Sequence, residues 1–214
     1  IHNRAGAVFE ARADATLFDS GDGTVKTFNN SGKVRRTTGT GTTLWHGLLN
    51  NDGTLAAESG TLSLAGGGTS AGSFTNLAGA TLTFSGGTQT LNDGASFTGA
   101  GTNQIAGGTV NVNAGATASA AGLFELSSGT LGGTGTFLVT SGSQFNWTGG
   151  TMAGTTGITV ITNGATLTVS TAADKDLRRR LDNYGTVTWT AGRILGHATP
   201  TLNNYAGALF DVQV

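Results

Sequence analysis

A short asparagine–glycine phrase recurs along this chain and limits what it can fold into more than any other feature. It appears as Asn3-Arg4-Ala5-Gly6, Asn30-Ser31-Gly32, Asn51-Asp52-Gly53, Asn76-Leu77-Ala78-Gly79, Asn92-Asp93-Gly94 and Asn113-Ala114-Gly115. After a gap filled by Ser128-Gly129 and Ser141-Gly142, it resumes as Asn163-Gly164, Asn183-Tyr184-Gly185 and Asn204-Tyr205-Ala206-Gly207. The asparagines are separated by 27, 21, 25, 16, 21, 50, 20 and 21 residues, which reads as about nine steps close to 21. Such a step is too short for a helical-hairpin repeat and suits one coil of a solenoid with three short strands. Asn and Gly tolerate positive φ at least cost, so each phrase is read as a turn. Stacked asparagines would bond along the axis as an amide ladder.

Strand parity supports this reading. Ala80-Thr81-Leu82-Thr83-Phe84, Ala165-Thr166-Leu167-Thr168-Val169 and Thr186-Val187-Thr188-Trp189-Thr190 alternate apolar residues with threonine. Alternate side chains leave a strand on opposite faces, so Leu82, Phe84, Val110, Val112, Leu167, Val169 and Val187 are expected inside. The threonines would then form an outer sheet of hydroxyls. The predicted fold is all-β: a right-handed parallel β-helix of about 9–10 coils of 20–22 residues.

Composition agrees. There are 37 glycines among 214 residues but one proline and no G-X-Y period, which excludes collagen. A net charge of −1 with 37% hydrophobic residues argues against disorder. No apolar run is long enough to span a bilayer. The absence of cysteine fits either a secreted repeat protein or a cytosolic one. The opening residues already read as mid-repeat. The expectation is one domain over 1–214, taken from a larger secreted protein, with a charged insertion at 174–182 forming a loop or helical turn.

The Asn-x-Gly-Thr-hydrophobic-Thr phrase resembles the Gly/Thr/Asn-rich solenoid repeats of large bacterial surface proteins, namely autotransporter passengers and filamentous adhesins. By fold, the chain also resembles β-helical lyases, polygalacturonases and tailspikes, and the non-catalytic polysaccharide-binding modules attached to xylanases. The resemblance implies an extracellular or cell-surface bacterial location and neighbouring domains in a longer chain. Fold alone does not choose among these functions.

Chemistry narrows the choice. Between residues 61 and 173 the only charged groups are Asp93 and Glu125, whereas glycoside hydrolysis needs two carboxylates at one site. A β-helical lyase would need clustered acids for Ca²⁺ and a base. His2, His46 and His197 lack metal-ligand spacing. The expectation is therefore no enzyme, no metal and no cofactor. Arg178-Arg179-Arg180 is too short a basic run to predict nucleic-acid binding at this net charge.

Aromatic side chains are the remaining lead, because sugars stack on flat rings. Tyr184 and Tyr205 each follow an asparagine, at a position otherwise occupied by Arg4, Ser31, Asp52, Asp93 and Ala114, and are expected to be exposed together. Trp147 and Trp189 lie 42 residues apart, two steps of 21; their parity favours the core, although the spacing could suit an extended glycan. Trp45 and His46 have parity opposite to Leu44 and Leu48 and are expected to be outward. With Arg178 these complete the candidate ligand-binding set. They suggest a non-catalytic module binding an extended plant-type polysaccharide, xylan or another β-glycan, or a cell-surface glycan. The alternative is a structural or adhesive segment of a surface protein. A third class is ice binding through the paired Thr81/Thr83, Thr166/Thr168 and Thr186/Thr188.

Overall fold

In the computed structural model, which describes residues 1–18 and 23–214, the chain is a parallel β-solenoid of ten coils. Asp19 and Asp22 lie outside the described residues. All regular structure among the described residues is strand, and no helix is long and apolar enough to cross a membrane. Each coil runs through three strands. In the third coil these are Leu48–Asn51, Thr54–Ala57 and Thr61–Leu64. The second strands of all coils stack into a ten-stranded sheet, while first and third strands share an eighteen-stranded sheet. That sheet is continuous because Thr102–Val112 and Leu123–Gly133 each serve as the third strand of one coil and the first of the next. At about 4.8 Å per coil the rod is roughly 45 Å long.

The interior follows the expected parity. Leu82, Phe84, Val110, Val112, Leu167, Val169 and Val187 are all buried. Phenylalanines fill the middle of the rod in a contacting series, Phe74, Phe97, Phe124, Phe137 and Phe145, with neighbouring ring centroids 4.9–6.2 Å apart. These separations suit edge-to-face and offset packing, which adds to the burial of apolar area.

The asparagines divide between two corners. Asn3, Asn30 and Asn51 end first strands, and their amides form the expected ladder: Asn3 Nδ2 donates to Asn30 Oδ1 (2.8 Å), and Asn30 Nδ2 to Asn51 Oδ1 (2.7 Å). Asn76, Asn183 and Asn204 end second strands instead, and Asn183 Nδ2 donates to Asn204 Oδ1 (2.7 Å). The single column read from the sequence is thus two columns. The same phrase serves both because each corner asks for the same bond: Asn30 Oδ1 accepts from Gly32 N at 3.2 Å, and Asn183 Oδ1 from Gly185 N at 3.0 Å.

The glycines also do two jobs. Gly94 has φ +85, as a positive-φ turn requires. Gly53 is needed for a different reason. A Cβ there would lie 2.1 Å from the Gly32 carbonyl oxygen, so only glycine allows the coils to stack this closely.

Residues 174–182 are not an insertion. They supply two regular strands, Lys175–Leu177 and the start of Arg180–Asn183. Their buried cations are held by backbone carbonyls at the corners. Lys175 Nζ donates to the carbonyls of Thr171 (2.7 Å) and Ala173 (2.8 Å), and burial pulls its pKa below the usual lysine value. Arg179 donates to the carbonyls of Gly132 (3.1 Å), Gly135 (3.0 Å) and Ile158 (2.8 Å), clasping three coils together. Burial lowers its pKa to about 10, which leaves it charged at neutral pH. Arg36 does the same near the N-terminal end, donating to Gly39 O and Gly41 O and pairing with Asp14.

Candidate functional site

The corner after Asn183 and Asn204 brings the two exposed tyrosines together. Asn183 fixes the chain on both sides of the turn, because its Nδ2 also donates to Leu209 O at 2.8 Å. Tyr184 and Tyr205 therefore leave consecutive coils in register and stack face to face, with centroids 4.1 Å apart and planes 7° from parallel. Tyr184 is 41% exposed and Tyr205 half-buried. A hydrogen bond from the Tyr184 hydroxyl to Tyr205, supported by partial desolvation, favours the neutral phenol and raises the Tyr184 pKa above its usual value.

Beside the pair, the strand Arg180–Asn183 presents Arg180 and Asp182 outward. Burial would raise the Asp182 pKa, but bonds from Arg180 Nε (2.8 Å) and Asn203 Nδ2 (2.8 Å) outweigh it and hold the carboxyl below its ordinary value. The Asp182 carboxylate in turn raises the Arg180 pKa, with a smaller contribution from Tyr205. Two rings, one ion pair and one amide thus form a closed set. Mutual stacking covers one of the two faces of each ring, a surface of the kind a sugar would use.

The remaining aromatic candidates do not join this site. Trp45 is buried at 1% exposure, packed against Phe9, Phe18 and Phe28 with centroids 4.6–5.9 Å away. The expectation that it faces outward is corrected. The inward residues of its strand are Thr43 and Trp45, and Leu44 and Leu48 stand half-exposed on the outside. Trp147 is fully buried, so it offers no ring to a ligand. Trp189 lies two coils further along the same inward column, half-buried, with Nε1 donating to Gly192 O at 3.0 Å. The tryptophan track is core.

His46 is exposed, but it sits in the second coil, roughly 34 Å along the axis from Tyr184 in the ninth. Arg178 is exposed at a different corner, beyond the first strand of its coil, and its Nε donates to Asp176 Oδ2 at 2.7 Å. His197 Nδ1 meets the other oxygen of that carboxylate at 2.8 Å. Arg178 therefore belongs to a separate cluster tying the ninth coil to the tenth.

The register also assembles two outer arrays. Thr88, Thr109, Thr130 and Thr151 align on four consecutive first strands, and Thr42, Thr61, Thr81 and Thr102 on four third strands. Further along the third-strand face, Gln104, Glu125 and Asn146 align on consecutive coils, followed by Thr168 and Thr188. This polar row interrupts the paired threonines, so no regular Thr-x-Thr lattice for ice runs along the face. In the sequence the row is marked only by the constant interval of 21 between residues 104, 125 and 146, and it holds no pair of acids.

No family model and no curated protein matches this chain. Among solved structures it is similar to the crystal structure of a hyper-glycosylated TibA fragment, glycosylated by TibC; the two are 15% identical over 98% of each chain, with a TM-score of 0.22.

Proposed function

We propose that the chain is a structural and adhesive segment of a larger bacterial surface protein, acting outside the cell as a rod that carries repeated polar contacts. One observation carries this reading. The outer faces repeat hydroxyl and amide groups at one-coil spacing, while the tryptophans and phenylalanines are withdrawn into the core. Repetition of weak contacts at fixed spacing suits adhesion, since each added contact acts at high effective concentration. The reading assigns no catalytic step. Asp93 and Glu125 occupy a corner and a strand face, and Asp93 already accepts from Thr117 N at 3.0 Å.

Beads coated with the chain should adhere to glycan-bearing cell surfaces more strongly than uncoated beads, and a Thr88→Ala/Thr109→Ala/Thr130→Ala/Thr151→Ala variant should adhere less. Equal adherence of coated and uncoated beads would remove the adhesive half of the proposal. A second reading, a polysaccharide-binding module working through aromatic contact, draws support from the exposure of Tyr184. Loss of polysaccharide binding in Tyr184→Ala/Tyr205→Ala would favour it.

A further inference from the structure

We propose that Gln104, Glu125 and Asn146 form a recognition row for a neutral, hydroxyl-rich polysaccharide lying along the rod axis. The inference rests on the adhesive reading and names its ligand and its site. The three residues face outward from consecutive third strands and are half-buried, so their positions are defined by neighbours while their ends reach solvent. Gln104 Nε2 and Thr148 Oγ1 each donate to Glu125 Oε1 at 3.3 Å, and Gln144 Nε2 donates to Asn146 Oδ1 at 2.8 Å. These bonds orient the planar groups and occupy one atom of each. Gln104 Oε1, Glu125 Oε2 and Asn146 Nδ2 have no partner among the described residues. The row therefore presents acceptor, charged acceptor and donor in succession, one coil apart.

That order suits a chain of hydroxyls, each of which can both give and accept a hydrogen bond. A hydroxyl donating to the Glu125 carboxylate makes the stronger, charge-assisted kind. Charge then selects among polymers. Glu125 is the sole charged residue on this face between residues 61 and 173, because Asp93, the other one in that span, lies at a different corner. Without a cationic partner it repels phosphate and uronate chains and favours a neutral glycan. A bound polymer would bridge the fifth, sixth and seventh coils, whose interior is filled by the phenylalanine series.

Affinity electrophoresis of the full chain tests this in gels containing xylan, mixed-linkage β-glucan or galactomannan, with polygalacturonate as the anionic comparison. At least one neutral polymer should retard the protein. Glu125→Ala should weaken that binding about tenfold or more, as expected for a bond to a charged group, and Asn146→Ala less. Glu125→Gln keeps the shape and should fall between wild type and Glu125→Ala, with thermal melts checking that each variant folds. Tyr184→Ala/Tyr205→Ala should bind as wild type. Wild-type binding that survives both Glu125 variants would overturn the row and leave the adhesive reading intact. Retardation by polygalacturonate alone, or by no polymer, would overturn the row as well, and adherence of coated beads would then show whether the adhesive reading also fails.

Discussion

Asn30 and Asn76 are both buried at 1% exposure, yet the structure predicts very different costs for truncating them. Asn30 accepts from Asn3 Nδ2 (2.8 Å) and Gly32 N (3.2 Å), and donates to Asn51 Oδ1 (2.7 Å) and Thr54 O (3.2 Å). Asn30→Ala deletes all four bonds and strands partners that water cannot easily reach. At about 1 kcal/mol per bond, with some desolvation loss for the stranded groups, the expected cost is about 3–5 kcal/mol. Asn76 is stacked between Ala57 and Gly99, neither of which offers a side-chain partner, and its Oδ1 and Nδ2 are both buried without a hydrogen bond. Asn76→Ala removes an amide whose burial is itself unfavourable, and this offsets the small cavity it leaves. Its expected effect lies within about 1 kcal/mol of neutral. Urea unfolding followed by tryptophan fluorescence reads the comparison, because Trp45 shares a coil with Asn30. A lower midpoint at unchanged slope would mark a true loss of stability. Equal costs at the two positions would refute the reasoning, since ladder bonding would then not be what distinguishes one buried asparagine from another.

Gly53→Ala should destabilise the rod by about 1–3 kcal/mol or more, because its Cβ would meet the Gly32 carbonyl at 2.1 Å; calorimetry at matched pH would show it as a lower melting temperature. The N-terminal coils should loosen in acid. Hydrogen bonds from Arg12 and Thr37 hold the Glu10 pKa down to about 2, so its contribution is present above the ordinary carboxylate range and disappears as pH falls towards 2. Amide protection relative to the intrinsic exchange rate should fall in the strands Val8–Ala11 and Lys33–Arg36 over that window, and unchanged protection would count against the ion network. For the tyrosine pair, Tyr205→Phe should lower the Tyr184 pKa in an ultraviolet titration, because the bond that Tyr184 donates to Tyr205 is the largest cause of its elevation. The sign follows from proton uptake: a raised folded pKa gives stability that is complete below the ordinary tyrosine value and falls as pH climbs past it.

Period and parity were readable from the residues because both arise from local rules, a turn every few residues and alternation along each strand. Leu82, Phe84 and Val110 are inside for that reason alone. The corners were harder. Asn51 and Asn76 carry the same phrase but close different turns, and the interval of 25 between them mixes two columns that only strand pairing separates. Charge in residues 174–182 points to an exposed loop unless partners exist, and the partners of Lys175 and Arg179 are backbone carbonyls. Arg179 reaches Gly132, 47 residues away in sequence, and no side chain marks that contact. The apolar character of Leu44 and Leu48 points Trp45 outward in the sequence. What decides its side is the aromatic cluster formed with Phe9, Phe18 and Phe28 across two coils. Of the candidate ligand residues, only Tyr184 and Tyr205 come together, since identical corners 21 residues apart stack directly.

The register underlies every one of these statements, and the absence of native cysteine makes it directly measurable. Thr109 and Thr130 are paired outward residues on adjacent coils, a separation suited to a disulfide, whereas Thr88 and Thr130 lie two coils apart, beyond disulfide reach. Oxidation of Thr109→Cys/Thr130→Cys should give the intramolecular bridge by mass spectrometry, and Thr88→Cys/Thr130→Cys should stay reduced within the chain. The opposite pattern, a bridge between positions 88 and 130 and none between 109 and 130, would contradict the ten-coil register and the sites built on it.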